Sequence, residues 1–250
     1  MATKAKSVWF CTSCGNESPK WMGRCPACGE WNTMVEEPKE SRKASSGQAG
    51  RSGSGERRKP VHIRDIETSG ESRISLGNGE VDRILGGGMV EGSLVLIGGE
   101  PGIGKSTLSL QIPLGCPNLK TLYVTGEESA KQVKMRAARI GGDDSNCFIY
   151  SETLLENIIA EAREVNPDLM VVDSVQTMYS EAVESSPGSV TQIKETAAAL
   201  LRLAKESGIP IILIGHITKE GNIAGPKILE HIVDVVLQFE GENKGTYRIL

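Results

Sequence analysis

The sequence predicts an α/β domain with a mostly parallel sheet and helices on both faces, preceded by a small module that four cysteines organise. From about Val61 onward, short apolar runs rich in β-branched residues alternate with helical patterns, as a parallel sheet with crossover helices requires. Two Cys-x-x-Cys pairs lie within residues 7–35, and residues 36–60 are rich in Ser, Gly, Lys and Arg. We therefore expect a cysteine module over 7–35, a flexible basic linker over 36–60 and an α/β domain over 61–250.

Five strands and four helices are predicted in the α/β domain. The segment 189–206 repeats apolar residues near helical spacing, so one face of that helix should pack on the sheet. The predicted strands are Ser93–Gly98, Thr121–Thr125, Leu169–Asp173, Ile209–Gly215 and Val233–Phe239, and the helices begin near Gly104, Ser129, Leu154 and Ser189.

A phosphate-binding loop is predicted directly after the first of these strands. Residues 99–106, GEPGIGKS, fit the G-x-x-x-x-G-K-[ST] pattern and lie between the strand LVLIG and a helix. The glycines let backbone N–H groups and the helix N-terminus face the phosphates of a nucleotide. We expect Lys105 to contact the β- and γ-phosphates and Ser106 to offer its hydroxyl to Mg²⁺.

Carboxylates follow two other strands. Asp173 ends the strand LMVVD, where ligands bind in α/β sheets, and it should hold Mg²⁺ through water; the alternative is a helix cap or turn. Hydrolysis also needs a carboxylate that polarises the attacking water. Glu127 and Glu128 directly follow the strand TLYVT. We assign Glu127 as the catalytic residue and expect one of the pair to cap the helix that begins near Ser129.

The four paired cysteines predict a structural zinc site. Cys11 and Cys14 are separated by ten residues from Cys25 and Cys28, and a glycine follows each pair. Each pair can present two thiolates to a tetrahedral ion, and four thiolates fill its coordination shell. A module of about 30 residues has too little core to fold without the metal.

Aromatic residues flank the cysteines. They are Trp9, Phe10, Trp21 and Trp31. In so small a module we expect them to pack around the metal site. The alternative is that they stack on nucleic-acid bases.

Charge and hydropathy limit the location and the type of partner. The formal net charge is −4, so DNA affinity would come from local basic patches. The sequence has no run of about 18 apolar residues, and the start MATKAKSVWF lacks the apolar core of a signal peptide. We expect a cytoplasmic protein with no membrane partner.

Several segments together resemble the bacterial RadA/Sms recombination proteins: CTSCG…CPACG, GNGEVDRILGGGMVEGSLVLIGGEPGIGKST, YVTGEES, LMVVDSVQT, SSPGSVTQIKE, GHITKEGNIAGPK and LEHIVDVVL. The resemblance covers nearly the whole chain except the linker. It implies a RecA-like P-loop ATPase that forms a homo-oligomeric ring and binds single-stranded and branched DNA. It further implies that ATP hydrolysis drives branch migration of recombination intermediates and that RecA recombinase is a partner.

The same resemblance implies roles for individual residues. Glu127 would prepare the water, Asp173 would attend the metal, and His216 would sense the γ-phosphate, although His216 could equally be a structural hydrogen-bonding residue. Lys219 and Lys227, in the loop ITKEGNIAGPK, would contact DNA unless they are simply solvated. The residues expected to bind ATP or ADP are Gly99, Glu100, Pro101, Gly102, Ile103, Gly104, Lys105, Ser106 and Thr107.

Two features depart from the family pattern. The resemblance implies a Lys-Asn-Arg-Phe-Gly motif and a Lon-protease-like domain beyond residue 250, so we expect a C-terminally truncated chain that hydrolyses ATP poorly alone. Pro113 and Pro117 lie where a longer helix is expected after the phosphate loop, and proline should end or kink that helix early.

Two other functions remain open at this point. One is a regulatory RecA-like ATPase of the clock-protein type, and the other is a zinc-anchored adaptor that uses ATP as a switch. A zinc module favours action on DNA, and DNA-stimulated ATP turnover would separate the three hypotheses.

Overall fold

The computed structural model describes six stretches of the chain, residues 7–11, 16–38, 62–65, 73–216, 229–241 and 248–249. Cys14, residues 39–60 of the predicted linker, and the loop with Lys219 and Lys227 lie outside the described residues. None of the helices in the described stretches is long and apolar enough to cross a bilayer.

The cysteine module is a small antiparallel sheet. Its strands are β1 (Ser7–Cys11), β2 (Glu17–Ser18) and β3 (Met34–Pro38), in the order β2-β1-β3. Among its described residues the buried apolar cluster consists of Cys11, Cys25 and Met34, with Trp9 packed against it. So small a core agrees with the expectation that the module depends on a metal for stability.

The α/β domain contains five α-helices and nine strands among its described residues. After a short 3₁₀ turn at Ile63–Asp65, the elements in chain order are β4 (Arg73–Ile74), α1 (Gly79–Ile84), β5 (Met89–Val90), β6 (Leu94–Gly99), α2 (Lys105–Gly115), β7 (Thr121–Thr125), α3 (Ala130–Ile140), β8 (Cys147–Ser151), α4 (Leu155–Val165), β9 (Leu169–Asp173), α5 (Val190–Ser207), β10 (Ile211–His216), β11 (Val235–Gly241) and β12 (Arg248–Ile249).

The main sheet confirms the predicted fold class. Its seven strands have the order β12-β11-β6-β10-β9-β7-β8. All adjacent strands pair in parallel except β12, which pairs antiparallel with β11 at the edge. Strands β4 and β5 form a separate antiparallel pair. Because parallel strands point the same way, the carboxyl ends of β6, β7, β9 and β10 meet at one edge of the sheet.

Side chains that alternate in direction along the buried strands form an apolar core on each face of the sheet. Leu94 and Leu96 of β6 pack in one cluster with residues of α4 and α5, whereas Val95 and Ile97 pack in the other with residues of α1, α2 and α3. Successive side chains of a strand point to opposite faces, so an uninterrupted apolar run serves both layers. The helices therefore cover both faces, as predicted.

All five predicted strands are present, with boundaries that differ by at most two residues, and the four helices begin within one residue of the predicted starts. Helix α1, the pair β4 and β5, and the edge strand β8 were not predicted from the sequence. Strand β8 carries the apolar run CFIY, which could have been identified in the sequence; at the edge of the sheet it is only partly buried, with Phe148 46% exposed.

Helix α2 contains 11 residues, as many as α3 and α4, and Pro113 does not end it. The helix continues for two residues past Pro113 and ends at Gly115, before Pro117. A proline removes one intrahelical donor and clashes with the carbonyl one turn back, and only two helical residues follow Pro113. The observed end of the helix therefore lies two residues after Pro113, the proline that was predicted to end or kink it.

Candidate nucleotide-binding site

A cleft of about 410 Å³ opens at the carboxyl edge of the main sheet. Ligands of open α/β sheets bind at this edge, in the crevice beyond the strand ends. The cleft combines the phosphate loop with side chains from β10 and from the segment after β7. Its lining residues are Pro101, Gly102, Gly104, Lys105, Ser106, Thr107, Glu127, Arg136 and His216.

The phosphate loop has the backbone geometry that its glycines predict. Gly104 has φ 115° and forms the N-cap of α2, a conformation that side-chain-bearing residues rarely adopt. Lys105 is buried, and its Nζ donates hydrogen bonds to the carbonyl oxygens of Gly99 at 2.8 Å and Glu100 at 2.9 Å. Burial lowers the pKa of Lys105, and the carboxylate of Asp173 opposes that shift. The ammonium group is thus held by its own loop at the place where a phosphate would bind.

Asp173 is buried at the end of β9 and is only partly hydrogen-bonded. Its Oδ2 accepts a hydrogen bond from Tyr123 Oη at 2.8 Å, whereas Oδ1 is buried and lacks a partner of normal geometry among the described residues. Burial raises the pKa of Asp173, and the hydroxyls of Tyr123 and Ser106 oppose the rise. A buried carboxylate oxygen beside a serine hydroxyl is a donor set that suits Mg²⁺, which prefers oxygen ligands.

Glu127 lies where three neighbouring strands end. Its Oε1 accepts a hydrogen bond from the Ser174 hydroxyl, and His216 Nε2 lies 3.0 Å from the same oxygen. The His216 hydrogen bond lowers the pKa of Glu127 below its ordinary value, and the Ser174 bond adds to that effect against partial burial. The carboxylate is therefore held in its ionised form inside the cleft, as a base for an attacking water must be.

Glu128 has a different partner from its neighbour. Its carboxylate forms an ion pair with Arg136 of α3, and the two side chains are 28% and 19% exposed. Oε2 of Glu128 and Nη1 of Arg136 are buried and make no further hydrogen bond within the described part of the chain. Glu128 is thus engaged by α3, whereas Glu127 faces the phosphate loop.

The predicted capping role for one of these glutamates is wrong. The Ser129 side chain accepts a hydrogen bond from the backbone N–H of Gln132, and the Gln132 side chain accepts one from the backbone N–H of Ser129. The two bonds form a complete capping box. The sequence S-x-x-Q carries this signal, and the side chains of Glu127 and Glu128 have partners elsewhere.

Two residues of the site were missed from the sequence. Ser174 follows Asp173 directly, so its place at the strand end could have been inferred. Arg136 lies seven residues after the helix cap Ser129, a spacing that returns to the same face of a helix. That spacing is a weak signal, because arginines are common on exposed helix faces.

Three of the four predicted zinc ligands lie together. The sulfur atoms of Cys11, Cys25 and Cys28 are all within 4.8 Å of one another, and those of Cys11 and Cys28 are 3.6 Å apart. Tetrahedral zinc with Zn–S bonds of about 2.3 Å places thiolate pairs about 3.8 Å apart, so the cluster fits that ion. Cys14 lies outside the described residues.

The aromatic residues of the module do not behave alike. Trp9 packs against the buried cluster, as expected, but Trp21 and Trp31 are 58% and 69% exposed. The expectation that the tryptophans pack around the metal site is therefore wrong for these two. A cluster of three small buried side chains offers too little surface to cover three indoles.

Two protein-family models match the chain. The model of the AAA domain matches residues 72–222, and a model described as the rubredoxin metal binding domain matches residues 9–36. Among solved structures, a KaiC-like protein from the archaeon Pyrococcus horikoshii OT3 superposes with a TM-score of 0.58 at 23% identity, covering 72% of this chain and 86% of that one. The structural likeness supports the RecA-like fold.

Curated relatives match from end to end of the chain. Proteins named DNA repair protein RadA are 53% identical in Bacillus subtilis, 48% in Pseudomonas aeruginosa and 46% in Streptococcus pyogenes M1, each over 99% of this chain. The chain spans 54% of the length of each of these relatives. From its fold, its phosphate loop and these matches, the chain belongs to the AAA domain family, and it is similar to bacterial DNA repair proteins named RadA.

Proposed function

We propose that this chain is the ATP-hydrolysing part of a DNA repair protein that binds single-stranded and branched DNA and promotes branch migration. The observation that carries the proposal is the Glu127 carboxylate, bonded by Ser174 and His216 and facing the phosphate loop. The curated relatives named as DNA repair proteins support the DNA half of it. A homo-oligomeric ring and partnership with RecA recombinase belong to the same proposal.

In this proposal each residue of the cleft has a separate role in hydrolysis. Residues 99–107 bind the phosphates of ATP, and Lys105 exchanges its two loop carbonyls for phosphate oxygens. Ser106 and Asp173 hold Mg²⁺, which neutralises charge on the β- and γ-phosphates when bound. Glu127 orients the attacking water and accepts its proton.

His216 provides the proposed link between ATP and DNA. It ends β10, lies 3.0 Å from the Glu127 carboxylate, and directly precedes the segment that contains Lys219 and Lys227. A change in the charge around Glu127 during hydrolysis would alter this hydrogen bond and so bias the conformation of the segment that follows. We propose that these lysines contact DNA phosphates.

The zinc-family match favours this function over a purely regulatory switch. None of the residues that line the cleft belongs to the module at residues 9–36, so we infer that the module binds another molecule.

The test is ATP turnover with and without single-stranded DNA. We expect DNA to increase turnover by the intact protein, and Lys105→Ala to abolish turnover in both conditions because the phosphate loop loses its cation. Lys219→Ala with Lys227→Ala should lose DNA stimulation and retain basal turnover, with Lys131→Ala as an exposed-lysine control. Turnover that DNA leaves unchanged in the intact protein would favour a switch or an adaptor.

A further inference from the structure

Two tryptophan rings of the cysteine module are exposed side by side. Trp21 and Trp31 expose 58% and 69% of their surface. Trp21 Cη2 and Trp31 Cζ3 lie 3.6 and 3.8 Å from the point where a Cβ on Gly23 would stand, so both rings border the same glycine. Trp9, by contrast, packs on the module's buried cluster. Two of the three indoles therefore form an open aromatic surface that the described core does not use.

The backbone that presents Trp31 is already ordered. Trp31 forms an antiparallel bridge with Arg24, and the Cys25 N–H donates to the Glu30 carbonyl at 2.8 Å. This hairpin therefore spans the pair of cysteines assigned to the metal. A surface held in its binding conformation loses less entropy when it captures a ligand.

Positive charge lies beside the rings. Arg24 Cζ is 5.8 Å from the centroid of the Trp31 ring, and Arg24 Nε donates to the Gly29 carbonyl at 2.7 Å, which fixes the guanidinium beside the indole. Lys20, next to Trp21, is exposed. Residues 19–31, which include both rings, thus contain two cations and one carboxylate, the exposed Glu30.

The sequence that follows the module extends this charge. Residues 39–60 contain seven Lys or Arg and two Glu. Exposed indoles beside guanidinium and ammonium groups are the combination with which proteins bind unpaired bases and their phosphates. Apolar π-surfaces accept a base of any identity, and the cations attract the phosphate backbone.

We propose that Trp21 and Trp31, flanked by Arg24 and Lys20, form a base-stacking site for single-stranded nucleic acid. The proposal rests on the DNA role proposed above and adds a contact outside the ATPase domain. The site is sequence-tolerant, because stacking on indoles does not read the edges of bases. It holds unpaired bases while the cleft hydrolyses ATP.

The experiment uses the zinc-loaded chain of residues 1–250 and oligo(dT) of about 15 nucleotides. The chain contains three tryptophans, so stacking is observed directly as quenching of their fluorescence. We expect Trp21→Ala and Trp31→Ala each to weaken oligo(dT) binding about five-fold or more, as loss of one stacked base implies. An abasic oligomer of equal length should bind more weakly and quench little. Trp31→Phe, which keeps an aromatic ring, should retain most of the affinity.

Three controls separate stacking from other causes. Trp9→Phe should leave most of the quenching, zinc content should be unchanged in every variant, and DNA-free ATP turnover should equal that of the parent chain. Equal oligo(dT) affinity of Trp21→Ala, Trp31→Ala and the parent, or equal quenching by the abasic oligomer, would overturn the stacking site alone. A parent chain that binds no oligo(dT) would overturn both the stacking site and the DNA role.

Discussion

Glu127 and Glu128 are adjacent in the chain and have different surroundings. Glu127 accepts hydrogen bonds from Ser174, which follows β9, and from His216, which ends β10. Glu128 is paired with Arg136 on α3. Glu127 lines the cleft beside the phosphate loop, whereas Glu128 is not among the residues that line it. The division of roles between the two neighbours depends on these partners.

Glu127→Gln should lower kcat by about 10²-fold or more and leave ATP bound, since the amide keeps the shape of the carboxylate but accepts no proton. Glu128→Gln should retain most of kcat, with its main effect on KM through a displaced Arg136. Steady-state turnover with a parallel ATP-binding titration measures both parameters. A large loss of kcat in Glu128→Gln alone would reverse the assignment.

The rate of ATP turnover should fall at acidic pH with a midpoint below the ordinary pKa of glutamate. The pKa of Glu127 is lowered from 4.5, chiefly by the His216 hydrogen bond. The base is therefore ionised above its lowered pKa, and turnover is lost only as the pH falls through that value. His216→Ala removes the largest cause, so the midpoint should move upward toward 4.5. Single-turnover rates across acidic pH test this, with circular dichroism to establish that the protein stays folded.

Arg136 should contribute to nucleotide binding as well as to the stability of the domain. Arg136→Ala removes a cation that lines the cleft and leaves Glu128 without its partner. We expect ATP affinity to fall about ten-fold or more, the worth of one charge-assisted hydrogen bond. The double variant Arg136→Ala with Glu128→Ala should recover stability, because it leaves no uncompensated carboxylate. It should not recover ATP affinity, because the cleft still lacks the arginine. Unchanged ATP affinity in Arg136→Ala would restrict the arginine to a structural role.

The end of β7 packs closely against the segment that follows β9, and this contact places Glu127 beside Ser174. The Gly126 N–H donates to the Asp173 carbonyl at 3.0 Å. A Cβ on Gly126 would meet Thr177 Oγ1 at 2.3 Å and Thr153 Cγ2 at 2.8 Å. Such distances require the backbone or the threonines to move. Glycine at this position therefore lets Glu127 approach Ser174.

Gly126→Ala should destabilise the domain by about 1–3 kcal/mol, the usual result of overpacking a filled site, and should also lower kcat by separating Glu127 from Ser174. The matched control is Gly115→Ala at the end of α2, where an added Cβ meets nothing within 4 Å. Urea unfolding and turnover of both variants test the prediction. Equal stability of Gly126→Ala and Gly115→Ala would show that the two strand ends are not closely coupled.

At the scale of the whole molecule, two units with different sources of stability share one chain. The α/β domain has a core on each face of a seven-stranded sheet, whereas the cysteine module has three buried apolar residues among those described. The first can be stabilised by burial of apolar surface, and the second requires a metal or a comparable crosslink.

We therefore expect about one zinc ion per chain. Cys28→Ser should lose it, because a hydroxyl replaces one of the thiolates in the cluster, whereas Cys116→Ser, outside the cluster, should retain it. Metal analysis of both variants tests this, together with Trp9 fluorescence as a probe of the module's packing. Full zinc occupancy in Cys28→Ser, or no zinc in the parent chain, would contradict the ligand assignment.

The sequence by itself determined the fold class, the phosphate loop and the order of the central elements. These follow from local patterns: apolar runs that bury on both faces, a loop whose glycines are spaced for phosphate, and cysteine pairs spaced for a metal. Only the tertiary structure decided which glutamate faces the cleft, because β7, β9 and β10 follow one another in the sheet but are 38 or more residues apart in the chain. It likewise decided that Arg136 turns into the cleft and that Trp21 and Trp31 face solvent. Pairing across a sheet and competition for a small core involve distant residues, and local patterns carry no information about either.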